Sequence, residues 1–299
     1  MKILLLGKNG QVGWELQRSL SLLGEVIALD RSSTTKFGAD LGNPESLRSI
    51  VRDVRPQWIV NAAAYTAVDK AQSEQELARS INATSVAVLA QEAKALNAWL
   101  VHYSTDYVFN GTGNRPWAEE DVTGPLNVYG ETKLEGEQSI RETGCQYLIF
   151  RTSWVYATRG SNFAKTMLRF AKEREKISVI NDQFGAPTGA DFLADLTTIA
   201  MRVARHRPDV SGLYHAVAAG DTDWYGYAKH VIEFARANGQ QIQVKPQGIL
   251  AVPMTAFPTP ARRPGNSRMN TTKLRETFQV VPPAWQYGVD RMLTEALMV

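Results

Sequence analysis

The sequence predicts an α/β protein, a Rossmann-type doubly wound parallel sheet followed by a smaller mixed α/β lobe. Three observations carry the prediction. Short continuous apolar runs alternate with segments of helical period through the first half, as a parallel sheet covered on both faces requires. A turn with glycines three apart follows the first run. Beyond Arg151 prolines break the rhythm.

The run Lys2 to Leu6 reads as a strand buried on both faces, and Gly7 ends it. From Gln11 onward Val12, Leu16, Leu20 and Leu23 fall at helical spacing, with Gly24 as a stop. Glu25 to Leu29 is a second strand, ending at Asp30. Leu47, Ile50, Val51 and Val54 mark one face of a helix over 44–54, and Trp58 to Val60 is the next strand. One long helix is expected from about Asp69 to Leu96. A strand over Trp99 to Tyr103, a helix over Glu131 to Glu142 and a strand over Tyr147 to Phe150 complete the pattern. Residues 1–150 are therefore expected to form a dinucleotide-binding body, with a returning segment from about 163–185. Residues 151–299 are expected to form most of a substrate-binding lobe, closed by a helix over Val289 to Leu297.

Composition narrows the class. A hydrophobic share of 44% and a formal charge of +3 describe a soluble globular chain without a nucleic-acid footprint. Arg262, Arg263 and Arg268 form a local basic cluster that suits one small anion. Cys145 is the only cysteine, so no internal disulfide exists and a reducing, cytoplasmic setting is expected. The apolar run Ile3 to Leu6 is too short for a signal-peptide core, and no stretch reaches the roughly 20 residues of a spanning helix.

In Gly7-Lys8-Asn9-Gly10-Gln11-Val12-Gly13, Gly7 permits a tight turn, Gly10 lets the backbone approach a pyrophosphate, and Gly13 brings helix and strand together. Asp30 stands where a carboxylate can accept from a ribose 2′-hydroxyl, favouring NADH. Arg31 beside it can hold a 2′-phosphate, favouring NADPH, and both cofactors stay open. Asp40, Leu41 and the small residues Ala62 to Ala64 lie where a cofactor would run along the strand ends. Tyr129 and Lys133 are four apart at a helix start, hence on one face. An ammonium there would lower the phenol's pKa towards a useful range. Thr105, at the end of the fourth strand, can hydrogen-bond a substrate carbonyl.

The glycine triplet, Asp30, Asn61 to Ala64, Ser104-Thr105-Asp106 and Tyr129 to Lys133, in that order, resemble the extended short-chain dehydrogenase/reductase family. Within it, the segments 102–109, 127–133, 150–156, 179–189 and 259–268 are similar to the branch that reduces the C4 ketone of dTDP-4-dehydrorhamnose, the last step of dTDP-L-rhamnose synthesis for cell-surface polysaccharide such as the O-antigen. The resemblance implies Thr105, Tyr129 and Lys133 as the catalytic residues. It implies Gly10, Gln11, Val12, Asp30, Asp40, Leu41, Ala63, Ala64 and Tyr65, with Tyr129 and Lys133, at an NADPH or NADH site. Thr105, Asp106 and Trp154 would meet the sugar nucleotide.

Asn162, Arg262 and Arg263 are candidates for the nucleotide end, because guanidinium forks match a diphosphate. The resemblance further implies a homodimer with Mg²⁺ near its interface, for which Glu15, Asp191 and Glu295 match. Asp191 departs from the expected glutamate and is one methylene shorter. The histidines His102, His206, His215 and His230 show no metal-ligand spacing and read as structural or surface residues. Two rivals stand beside the reductase. A sibling epimerase would keep its cofactor through the cycle and need no net reductant, and against a dehydratase Thr105-Asp106-Tyr107 lacks the Asp-Glu pair of the eliminating enzymes. A non-catalytic dinucleotide-binding regulatory subunit would have no use for the Tyr129–Lys133 pair.

Overall fold

The computed structural model describes residues 1–31 and 38–297. Six parallel strands form the central sheet. They are β1 (Lys2–Leu6), β2 (Glu25–Leu29), β3 (Trp58–Asn61), β4 (Trp99–Thr105), β5 (Gln146–Thr152) and, at the edge beyond β5, the strand Gly212–His215. From the opposite edge the order is β2, β1, β3, β4, β5, then Gly212–His215. The strands are apolar without alternation because both faces are covered. On one face Ile3, Leu5, Val60 and Phe150 meet the helices Gln11–Leu20 and Ala190–Ala204 through Leu16, Leu20, Leu193 and Ala200. On the other, Leu4, Leu6, Ile59 and Ile149 meet Pro44–Val54, Ser85–Leu96 and Val128–Thr143 through Leu47, Ile50, Leu89 and Ile140.

A separate core joins the helices Phe163–Glu173, Trp224–Ala237 and Trp285–Leu297 through Met167, Leu168, Tyr227, Val231, Val289 and Leu293. Short two-stranded sheets brace it, among them Ile177–Ile180 beside Ile249–Val252. Here the structure corrects the expected boundary. The segment 163–185 does not return to the central sheet, because Ala164, Met167, Leu168, Ile177 and Val179 all face this second core. The returning segment is 190–215, a helix on the sheet face followed by the edge strand.

The long helix expected over 69–96 is also corrected. It is broken into Val68–Ala71, Gln75–Arg79, a π-helical turn Ser80–Thr84 and Ser85–Leu96. A wide turn of that kind shifts the helix face by one residue and is frequent at functional sites. No helix among the described residues is long and apolar enough to cross a membrane.

Candidate active site

Ligands in open parallel sheets gather at the carboxyl ends of the strands where the strand order reverses. Here that point lies between β1 and β3. Gly7 leaves β1 and Ala62-Ala63 leave β3 so close together that a Cβ on Gly7 would lie 2.8 Å from the Ala63 nitrogen. The helix Gln11–Leu20 starts beside them. Gly10 caps it without a side chain, and no acidic residue sits in its first turn. Its first N–H groups thus face outward with the positive end of the dipole behind them, an arrangement that fits a pyrophosphate.

Around that turn the other expected residues appear. Asn9 Nδ2 donates to Asp30, and Gly42 N–H donates to Asp40 Oδ1 at 2.9 Å. Ser85 Oγ donates to the Leu41 carbonyl at 2.5 Å. Tyr65 is held at its backbone by Asn82, which accepts from Tyr65 N–H at 2.8 Å and donates to the Tyr65 carbonyl at 3.1 Å. Asn82 also donates to Thr132 Oγ1 at 3.2 Å, so the π-helical turn ties the β3 loop to the helix that bears Lys133. Sequence reasoning missed Asn82; its signal was a buried-type position taken by an amide inside a helical run.

Asn127 opens the helix Val128–Thr143, accepting from Gly130 N–H at 2.9 Å and donating through Nδ2 to the Arg262 carbonyl at 2.7 Å. Gly130 sits hard against the turn Asp106–Val108 that follows β4, where a Cβ would lie 2.2 Å from the Tyr107 carbonyl oxygen. The close approach sets Tyr129 over Thr105. The Thr105 hydroxyl lies near enough to the phenol to lower its pKa, and Tyr107 meets the Tyr129 ring edge-on at 5.6 Å. Burial pushes the Tyr129 phenol up to about 12, against the Thr105 hydrogen bond that lowers it.

Lys133 is 1% exposed, and burial pulls its ammonium down to about 8 against the attraction of Glu137. Its Nζ does not turn to the phenol as expected. It donates to the Tyr103 carbonyl at 2.6 Å and lies 3.0 Å from His102 Nε2. The phenol therefore stays protonated at neutral pH, so its proton is present to be given. Behind the helix Arg151 and Glu137 form a buried two-pronged pair at 2.9 and 2.7 Å, anchoring it to β5.

Asp106 is buried beside Thr105, which donates to its Oδ1 at 3.1 Å; Oδ2 has no partner among the described residues. Burial raises this carboxyl to about 6, and the nearby Ser267 and Thr105 hydroxyls oppose the rise. Next to it a largely apolar cavity of about 240 Å³ opens towards the second core, lined by Tyr107, Met167, Val179, Trp224, Phe257 and Arg263 among others.

Three expected substrate residues are differently occupied. Trp154 adopts φ +50° and lies flat on Trp224 with centroids 3.6 Å apart, so one indole face is already covered. Asn162 caps the helix Phe163–Glu173 and donates to Gln11 Oε1 at 3.3 Å, on the side of the glycine turn. Arg263 grips Asp69 at 2.8 and 3.2 Å, while Arg262 is exposed at the rim. Arg268 is paired with Asp221 at 2.8 Å.

Glu15, Asp191 and Glu295, far apart in sequence, do line one cavity of about 190 Å³. Arg291 reaches Asp191 at 3.2 Å and Glu295 at 3.4 Å, and Arg18 approaches Glu15 at 3.7 Å. Among the described residues no three acidic, histidine or cysteine groups converge as metal ligands would. As they stand, the carboxylates are paired with Arg18 and Arg291.

Comparison with known proteins decides the family. The family model described as the RmlD substrate binding domain matches residues 1–298. The dTDP-4-dehydrorhamnose reductase of Escherichia coli K12 is 61% identical over 295 residues, covering 99% of this chain and 98% of that one. The chain belongs to the dTDP-4-dehydrorhamnose reductase family. Among solved structures, the dTDP-4-dehydrorhamnose reductase of Clostridium acetobutylicum superposes with a TM-score of 0.89 at 32% identity, covering 100% of both chains. That of Bacillus anthracis, in complex with NADP, gives 0.86 at 35% identity, covering 98% of this chain and 99% of that one. The reductase family thus accounts for both cores, including the lobe that single motifs left undefined.

Proposed function

We propose that the protein reduces the C4 ketone of dTDP-4-dehydro-β-L-rhamnose to dTDP-L-rhamnose with NADPH or NADH. The observation that carries the reading is the Tyr129–Thr105 contact beside a lysine at the carboxyl end of β4, in a chain so similar to named reductases over its whole length. Residues 1–150 with 190–215 would serve the dinucleotide, and most of the remainder the sugar nucleotide.

The first turn of Gln11–Leu20, with Gly7 and Gly10, would hold the pyrophosphate. Asp30 or Arg31 would meet the adenosine ribose, and Asp40, Leu41, Ala63, Ala64 and Tyr65 would border the cofactor. When bound, the reduced dinucleotide supplies the hydride. Thr105 would donate a hydrogen bond to the substrate's C4 oxygen, and Tyr129 would pass its phenolic proton to that oxygen as it becomes an alkoxide. A phenol held at about 12 is still protonated at neutral pH and so is loaded for reduction. Lys133 would hold the nicotinamide ribose. Asp106, with an oxygen lacking a partner among the described residues, would accept from a sugar hydroxyl.

The apolar cavity next to Tyr107 would take the nucleotide, with Arg262 free at the rim to meet a diphosphate. A cytoplasmic homodimer completes the proposal. Its support is the face around the Glu15 cavity, where Trp14 and Tyr287 stand 46% and 69% exposed. Sedimentation at micromolar concentration tests it, and a monomer there removes the dimer.

Tyr129→Phe tests the core of the reading. Turnover with dTDP-4-dehydrorhamnose should fall by about 10²–10⁴, the usual worth of a positioned acid, while NADPH affinity stays within a few-fold. Normal turnover would place the acid elsewhere.

A further inference from the structure

Among the described residues that line the apolar cavity beside Tyr107, Arg263 alone is ionic; the others are aromatic, aliphatic or uncharged groups such as Trp224, Val179 and Gln183. Its partner Asp69 comes from the other body of the protein, on the short helix Val68–Ala71 that follows the β3 loop. Asp69 Oδ2 accepts from Arg263 Nη2 at 2.8 Å, and Oδ1 accepts from Nη1 at 3.2 Å. The same Oδ1 accepts from the Ala261 N–H at 3.3 Å, so the carboxylate grips both the side chain and the loop that carries it.

A guanidinium carries five N–H donors in a rigid fork. Asp69 takes one from each Nη, and the Ala261 carbonyl lies 3.4 Å from Nη1. The Nε hydrogen and the second hydrogen of Nη2 are left over from these bonds. Arg263 can therefore meet an anion in the cavity without leaving Asp69.

Stability does not account for the pair. Asp69 is 41% and Arg263 26% exposed, a setting in which an ion pair contributes little to folding. Its effect is geometric. A long side chain loses rotamer freedom when it meets a ligand, and a partner that holds it beforehand removes that cost from binding. Neighbouring bonds fix the frame. Gln72 Oε1 accepts from the Val128 N–H at 2.8 Å, and Asn127 Nδ2 donates to the Arg262 carbonyl, so the helix of Asp69, the loop of Arg263 and the start of the Tyr129 helix meet at one seam. The negative charge of Asp69 opposes an arriving anion, but the carboxylate is half open to solvent, which screens that repulsion.

We infer that Asp69 is a positioning residue: it holds Arg263 as a preformed cation for the diphosphate of the sugar nucleotide and stays bound to it when the ligand is in place. The identity of the ligand rests on the proposed function. Engagement with Asp69 thus prepares Arg263 for the substrate and does not withdraw it.

Asp69→Asn keeps the size of the side chain and loses the two-pronged grip. Isothermal titration of the intact enzyme with dTDP should show about tenfold weaker binding, the worth of one long side chain that must now be ordered by the ligand. KM for dTDP-4-dehydrorhamnose should rise by a similar factor with kcat changed far less, as for a loss of uniform binding. In an Arg263→Ala background the same substitution should leave dTDP affinity within about twofold, or tighten it, because Asp69 acts through Arg263. Unchanged or tighter binding in the single variant overturns the inference, and so does equal weakening in both backgrounds. A melting temperature within about 2 °C of wild type is expected for so exposed a pair. If the variant does not fold, ¹⁵N spectra of the ligand-free wild type decide. The Arg263 Nη nitrogens, assigned by their loss in Arg263→Ala, should give two resolved signals because Asp69 hinders rotation; one averaged signal overturns the inference. That readout needs no ligand, so a wild type with two resolved signals and no affinity for dTDP would tell against the reductase reading and against the ligand named here, and not against the grip of Asp69.

Discussion

Gly130→Ala puts the positioning of Tyr129 to a quantitative test. The added Cβ would sit 2.2 Å from the Tyr107 carbonyl oxygen and 3.0 Å from Pro125 Cβ. An ordinary contact needs well over 3 Å, so the start of the Val128–Thr143 helix must retreat from the turn after β4 by about 1 Å. It cannot tilt freely, because Asn127 bonds Arg262 on one side and the Arg151–Glu137 pair holds the helix on the other. The retreat therefore falls on Tyr129 and its contact with Thr105. Misplacement by that amount costs about a hundredfold in rate when a reacting group must be aligned. Steady-state kinetics with dTDP-4-dehydrorhamnose should show kcat down by about that factor and KM for NADPH changed far less, since the glycine turn is untouched. Circular dichroism should remain that of the wild type. A folded Gly130→Ala enzyme with normal kcat would refute the reasoning.

Other perturbations follow from the same geometry. Gly13→Ala would bring a Cβ to 2.0 Å from the Gly7 carbonyl, forcing helix from strand; NADPH affinity by fluorescence titration should drop at least about tenfold, and wild-type affinity would contradict the placing of the pyrophosphate. Glu137→Gln leaves the Arg151 charge buried without its partner and should lower unfolding free energy by about 3–5 kcal/mol in urea titration; a change below 1 kcal/mol would deny the helix its anchor. Asp106 holds a proton up to about pH 6 in the folded state, against 3.8 in the ordinary range. Its raised pKa means that stability present below about pH 4 is lost as pH rises to 6. Asp106→Asn should therefore be more stable than wild type by up to about 3 kcal/mol at pH 8, the worth of two pKa units. That advantage should vanish at pH 4, and a pH-independent difference would rule out this account of the buried carboxyl.

Much of the first body was legible because buried parallel strands leave unbroken apolar runs, and β1 and β2 fall where those runs do. The break within 69–96 was hidden for a physical reason. A π-helical turn changes the phase of a periodic pattern by one residue, and Ala-rich positions on both sides blur that phase. The strand Gly212–His215 escaped notice because its pairing with β5 is made across some sixty residues and only four positions carry it. At the site, Tyr129, Lys133 and Thr105 could be placed together from their helix and strand positions. The direction of the Lys133 ammonium could not, since it depends on His102, whose ring comes from a strand thirty residues earlier. Nor could the partner of Trp154, which is Trp224 from the other end of the second core.

Reduction with NADPH deuterated at the transferring position, followed by NMR of the sugar nucleotide, tests the proposed chemistry most directly. The account predicts one deuterium at C4 of dTDP-L-rhamnose, formed at the rate of cofactor oxidation and slowed by about 10²–10⁴ in Tyr129→Phe. A product without deuterium at C4, or label transfer undiminished in that variant, would contradict it.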